Sequence, residues 1–309
     1  VALAAAAIVY SRQHAHSSWI LSAALPAFLC EAIFYLASVF TETRELFRKL
    51  RLPKLQAAAL WVSALAPYLI FSLAAGTFHR NAFYLLAGLT AALSFWYVIL
   101  PRRAAYDIGF LIVAAAPQVT RVFQRLYIAP DPQISLLGHL MWIHVGVAAL
   151  LVLREWNPGP FSFWPTPREW QIGMFVFVLG IAPMIALAEA VHDVRFVLPH
   201  AAWWRVAGEG IATFLGILWV VALSEELFFR GFIQRALAKS WGSIAAIVVS
   251  ALLFGSAHLW VHAFPNWQHA LVASLLGVAC GIAYWWAGSV RASMVTHAFV
   301  VVTWRLFFR

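Results

Sequence analysis

Charge is scarce in this sequence. Only 11% of its 309 residues are charged, 63% are hydrophobic, and the mean hydropathy is +0.83. A soluble domain carries roughly 25% charged and about 45–50% apolar residues, so the composition excludes one. Cysteine is scarcer still. Cys30 and Cys280 are the only two, each in an apolar run, and they exclude a disulfide framework. Both read as small packed hydrophobes. Acidic residues number 12 against 21 basic ones. The resulting +9 is spread over short connections. It reads as an orientation signal and as attraction to lipid headgroups, with no nucleic-acid partner. No internal repeat is visible.

What the chain has in abundance is apolar length. A bilayer span needs about 20 mostly apolar residues. Such runs lie near 19–40, 55–75, 81–100, 134–153, 169–190, 206–228, 243–260, 267–287 and 290–308, with a shorter one near 104–118. In lipid every backbone group must be satisfied within its own segment, so these runs are helices. The opening VALAAAAIVY is too short to span. Sixteen tryptophans and eight tyrosines suit repeated crossings of the headgroup layer. The expected fold is all-α, a polytopic membrane bundle of about 8–10 helices. The four-proline stretch REWNPGPFSFWPTPRE (154–169) is the best boundary, dividing 1–165 from 166–309. The densest basic block lies at 44–54 and orients the chain.

Against this background LSEELFFRGFIQRAL (223–237) stands out. Two adjacent acids, Glu225 and Glu226, follow an apolar run. A charge in the bilayer costs roughly 2.5–3.5 kcal/mol on insertion scales unless it is paired. Arg230, four residues after Glu226, can pair with it on one helical face. Glu225 is left freer, and two carboxylates in different surroundings suit acid–base work. A turn near Gly242 puts Glu225, 17 residues before it, level with His258, 16 residues after it. A water can then be held between carboxylate and imidazole. His297 sits nine residues past Gly288. At 1.5 Å per residue it lies about 14 Å along its helix, shallower than the other two.

Glu-Glu-x-x-x-Arg (Glu225, Glu226, Arg230), then Phe-x-x-x-His (Phe254, His258), then a C-terminal His (His297) resembles the signature of the CAAX protease and bacteriocin-processing family. These are intramembrane glutamic endopeptidases, Rce1-type prenyl-protein proteases among them. The resemblance covers roughly 206–305. It implies peptide hydrolysis within the bilayer, with no cofactor and no metal. By the family pattern Glu225 is general base for a water also held by His258. Glu226 and Arg230 pair and orient the site, and His297 stabilises the oxyanion. The implied partner is a membrane-anchored or C-terminally tailed protein substrate, and the implied location a bacterial inner membrane. One departure is Val301, where the family has Asn or Asp. Thr303 or the indole N–H of Trp304 are candidate substitutes.

Three other readings remain open on the residues alone. Glu225, His258 and His297 could be three metal ligands with an open fourth position, and His258 and His262 are also one turn apart. Glu31, Asp107, Glu189 and Glu209 lie in or near spans and could form a transporter's relay. A non-catalytic tail-binding protein would keep the same cluster. His139 and His144 read as packed or interfacial.

Overall fold

The computed structural model describes residues 18–49, 52–127, 134–158, 164–261 and 264–309. VALAAAAIVY and His262 lie outside the described residues. The chain forms two compact units, Val1–Trp156 and Asn157–Arg309, which meet inside the proline-rich stretch. Both are helical. Among the described residues the one β feature is an isolated bridge between Phe196 and Phe308.

Six helices are long and apolar enough to cross a membrane among the described residues, or seven if the bent pair Ser22–Ser38 and Thr41–Phe47 is one span. The expected eight to ten divided the same chain more finely. The stretch Trp203–Trp260 counts once in the six, although Gly242, at φ 77° and ψ 166°, breaks it where the turn was expected. Ala104–Thr120 is a helix of only 17 residues. Val290–Phe307 is a helix of 18 residues whose apolar character is diluted by Arg291, Thr296, His297 and Arg305.

In the first unit, α1 (Ser18–Val39) leads into a short amphipathic α2 (Thr41–Lys49). Next comes α3 (Pro53–Ala74), started by a proline at a position where a missing N–H costs nothing. Helices α4 (Arg80–Ile99), α5 (Ala104–Thr120), α6 (Val122–Leu126) and α7 (Ser135–Ala148) follow. Of the acids that could have formed a relay, Glu31 bonds His144 at 2.9 Å. Asp107 accepts from Arg154 at 2.9 and 3.1 Å and from the Tyr97 hydroxyl at 3.0 Å.

In the second unit, α8 (Pro167–Ala190) starts in a capping box. The Glu169 carboxylate accepts from the Thr166 backbone N–H at 2.6 Å, and the Thr166 hydroxyl accepts from the Glu169 N–H. The same carboxylate accepts from Arg291 at 2.9 and 3.1 Å, at the start of α12 (Val290–Phe307). Arg291 also donates to the Trp164 carbonyl at 2.9 Å. Two helix starts are thereby joined by one buried ion pair. Helix α9 (Trp203–Gly216) continues through π-helical turns at Ile217–Ala222 and Leu227–Gln234, with a short α-turn, Leu223–Glu226, between them. After α10 (Arg235–Ala257) and a tight turn at His258–Trp260 comes α11 (Trp267–Ala287). The relay candidates Glu189 and Glu209 are both exposed here.

Small residues set the helix spacing, as in membrane bundles generally. A Cβ on Gly173 of α8 would lie 2.7 Å from the Ala292 carbonyl of α12, and the Thr296 hydroxyl donates to the Gly173 carbonyl at 2.9 Å. A Cβ on Gly277 of α11 would lie 2.8 Å from Cα of Ala251 in α10. Overpacking such a contact costs typically about 1–3 kcal/mol. Gly173→Val should therefore lower the melting temperature in detergent. Gly208→Ala, which meets open space, should leave it unchanged or raise it. Equal behaviour of the two variants would remove Gly173 as the α8–α12 spacer.

Candidate active site

The five candidate residues come from four segments of the second unit. Glu225 and Glu226 end the short α-turn between the two π-helical stretches. Arg230 lies in the second of those, His258 directly after α10, and His297 in mid-α12. π-helical turns occur often at functional sites because they interrupt the regular ladder. Here they flank the α-turn that carries the two adjacent acids, which point about 100° apart around the helix.

Glu226 faces inward and is fully buried, as is Arg230. One carboxylate oxygen of Glu226 accepts from His297 Nδ1 at 2.7 Å. The other lies 3.1 Å from Arg230 Nε, an ion contact not aligned as a hydrogen bond. Arg230 Nη2 donates to the Gly277 carbonyl at 2.9 Å. One turn on, Gln234 Nε2 donates to the Gly281 carbonyl at 3.1 Å. Arg230/Gln234 and Gly277/Gly281 therefore form two rungs between facing helices. A Cβ on Gly281 would lie 3.0 Å from Gln234 Oε1, so the missing side chain there leaves room for that rung.

Glu225 is different. Its side chain is 31% exposed, and Oε2 lies 3.8 Å from His297 Nε2. That oxygen makes no hydrogen bond to the protein. Of the two adjacent acids, one is committed on both oxygens and one is available.

Phe254 organises the rest. Its ring lies 4.8 Å from the Arg230 guanidinium, 4.6 Å from the His258 ring and 5.8 Å edge-on from the His297 ring. A cation over an aromatic face gains about 2 kcal/mol or more when desolvated. The hairpin expected at Gly242 is real. Phe229 before the break stacks edge-on to Phe254 after it at 5.0 Å, and the Ser250 hydroxyl donates to the Phe229 carbonyl at 2.9 Å. His258 lies within electrostatic reach of Glu225, His269 and His297. Its Nδ1 is 2.8 Å from the Phe254 carbonyl. A carbonyl only accepts, so Nδ1 carries the hydrogen and Nε2 the lone pair.

Although the count from Gly288 put His297 shallower, its ring reaches both acids, Nδ1 lying 2.7 Å from Glu226 and Nε2 3.8 Å from Glu225. The start of α12 at Ser289, Val290 and Arg291 is itself buried within the protein. Of the two substitute oxyanion donors weighed on sequence, Thr303 places its hydroxyl on the Phe299 carbonyl at 2.8 Å. Trp304, stacked on Phe308 at 5.1 Å, keeps an indole N–H to offer.

Sequence reasoning missed Cys280. It is fully buried, with its sulfur within 4.8 Å of ligand atoms on Glu226 and His297. This trio differs from the metal set weighed on sequence, and its chemistry suits a cation poorly. Glu226 and His297 already satisfy each other, and the Arg230 charge touches the same carboxylate. Also unforeseen was Asp193, whose Oδ2 is 3.1 Å from Nδ1 of His269, the neighbour of His258.

Fold and cluster together define a multi-pass integral membrane protein with a buried carboxylate–imidazole centre. Residues 207–303 match the family model described as Type II CAAX prenyl endopeptidase Rce1-like. That stretch holds all five candidate residues, and this part of the chain is similar to the Rce1-like endopeptidase domain. Comparison with curated proteins and with solved structures gives no match.

Arg230 offsets a buried carboxylate, and removing one partner of such a pair costs about 3–5 kcal/mol. Arg230→Ala should lower the melting temperature in detergent clearly. An unchanged melting temperature with lost activity would make Arg230 a direct contact to substrate instead.

Proposed function

We propose that the second unit is a glutamic-type intramembrane endopeptidase. It cuts a peptide bond near the C-terminus, or in a membrane-proximal segment, of a membrane-anchored or C-terminally tailed protein. The observation that carries this is the unequal pair of acids: Glu226 held by Arg230 and His297, and Glu225 partly exposed with Oε2 3.8 Å from His297 Nε2. The family match of residues 207–303 supports the peptidase class. A bacterial inner membrane is the proposed location.

In this mechanism Glu225 takes a proton from a water, and His258 Nε2 accepts the water's other hydrogen. The hydroxide adds to the scissile carbonyl. His297, as an imidazolium held by the Glu226 carboxylate, donates from Nε2 to the developing oxyanion. Glu225 then delivers its proton to the leaving amine nitrogen as the C–N bond breaks. One water is consumed, and a carboxylic acid and an amine result. A non-aqueous interior supplies neither base nor charge stabilisation, so both must come from these side chains.

Glu225→Gln keeps shape but removes the base. It should lower kcat by about 10²–10⁴ with little change in melting temperature, measured on a single-span reporter with a C-terminal tail. Wild-type turnover by the folded variant would remove Glu225 from the mechanism.

Val301 offers no donor where relatives have an amide or acid. Loss of one oxyanion donor is typically worth about 2.7–4 kcal/mol, and Thr303 and Trp304 are the candidate substitutes on α12. Trp304→Phe or Thr303→Val should lower kcat with KM little changed. An unchanged kcat in both variants would exclude them as substitute donors.

A further inference from the structure

The first unit contains a second constellation that the peptidase site does not use. Glu31 of α1, Ser63 of α3 and His144 of α7 form one hydrogen-bonded chain. Glu31 Oε1 is 2.9 Å from His144 Nδ1, and His144 Nε2 is 3.1 Å from Ser63 Oγ. Glu31 is fully buried and His144 nearly so. Ser63 and His144 stand at the midpoints of Pro53–Ala74 and Ser135–Leu153, where polar groups are costliest. Ionisable groups kept at such depth mark function by default.

The order acid–imidazole–hydroxyl is that of a nucleophilic triad, recognised by geometry and roles whatever the chain order. With the Nδ1 hydrogen on the Glu31 carboxylate, Nε2 carries the lone pair that faces the serine. The imidazole is held in plane by Phe34, stacked at 6.0 Å. Ser63 Oγ also lies 2.7 Å from the Leu60 carbonyl. Rotation about the Cβ–Oγ bond moves its hydrogen from that carbonyl to Nε2.

The chain opens onto a cavity of about 190 Å³, lined by both Ser63 and His144. Its other walls are mostly apolar, among them Leu60 and Val152, with Ser38, Arg44 and Gln56 as polar members. Apolar walls, a nucleophile with its base, and one guanidinium suit an acyl ester that carries an anionic group.

We infer that Ser63, His144 and Glu31 are a second catalytic site, an acyl-ester hydrolase in the first unit. Ser63 Oγ attacks the acyl carbon as its proton passes to His144 Nε2. The ester C–O bond breaks, and the leaving alkoxide takes that proton. Water, deprotonated by the same nitrogen, then releases the acid from Ser63 and restores the hydroxyl. The net change is ester plus water to acid plus alcohol, with no other reactant.

The test uses the full chain in detergent. A fluorophosphonate probe should attach covalently to Ser63, located by peptide mass spectrometry. Hydrolysis of p-nitrophenyl butyrate or of lysophosphatidylglycerol should fall by about 10²-fold or more in Ser63→Ala at unchanged melting temperature. The faster of the two esters tells whether the natural one is soluble or lipid. His144→Gln should also abolish labelling. Should that variant fail to fold, Ser63→Ala alone decides. A folded wild-type protein whose Ser63 stays unlabelled, or whose ester hydrolysis survives Ser63→Ala, overturns the inference.

Discussion

The Glu226 carboxylate is the point on which the second unit depends. It is fully buried and takes the Arg230 charge on one oxygen and the His297 N–H on the other. A single group thus links the π-helical segment to the last helix, while Arg230 carries the connection onward to the α11 backbone at Gly277. Ion pairs at such depth do not repay their desolvation unless the geometry is good and further hydrogen bonds use the remaining donors. Phe254 contributes here, since its ring lies over the guanidinium and touches both histidines. The arrangement stabilises the fold and, in the same act, sets the orientation of His297.

Fixing Glu226 is what frees Glu225. Two ionised carboxylates on consecutive residues repel, and one must be neutralised locally before the other can serve as a base. On the α-turn Leu223–Glu226 the two acids point about 100° apart, so Glu226 turns to the interior while Glu225 stays partly open. A second buried pair, Glu169–Arg291, joins the starts of α8 and α12, and Gly173 holds the two helices close. Together they hold α12, and His297 with it, against α8.

The helical class and the site pairing were legible in the sequence for simple reasons. Apolar runs of span length can only be helices in lipid. Glu226 and Arg230 are one turn apart, and a glycine at the midpoint between Glu225 and His258 marks a hairpin. What was not legible depends on how helices meet. The buried start of α12 follows from Arg291 finding Glu169, 122 residues away. No spacing rule encodes that contact. Cys280 looked like any small apolar residue because its neighbours, Glu226 and His297, come from other helices. The Gly277/Gly281 pair was visible as small residues one turn apart, but its use as an acceptor for Arg230 and Gln234 required the facing helix. In the first unit, Glu31, Ser63 and His144 lie on three helices, and no local pattern joins them.

A double-mutant cycle in detergent between Glu226→Gln and His297→Ala, read as unfolding stability, tests the central link most directly. Groups sharing one buried network couple by about 0.5–3 kcal/mol. A coupling in that range is expected if Glu226 joins the π-helical segment to the last helix. Additive losses, with a coupling indistinguishable from zero, would contradict it.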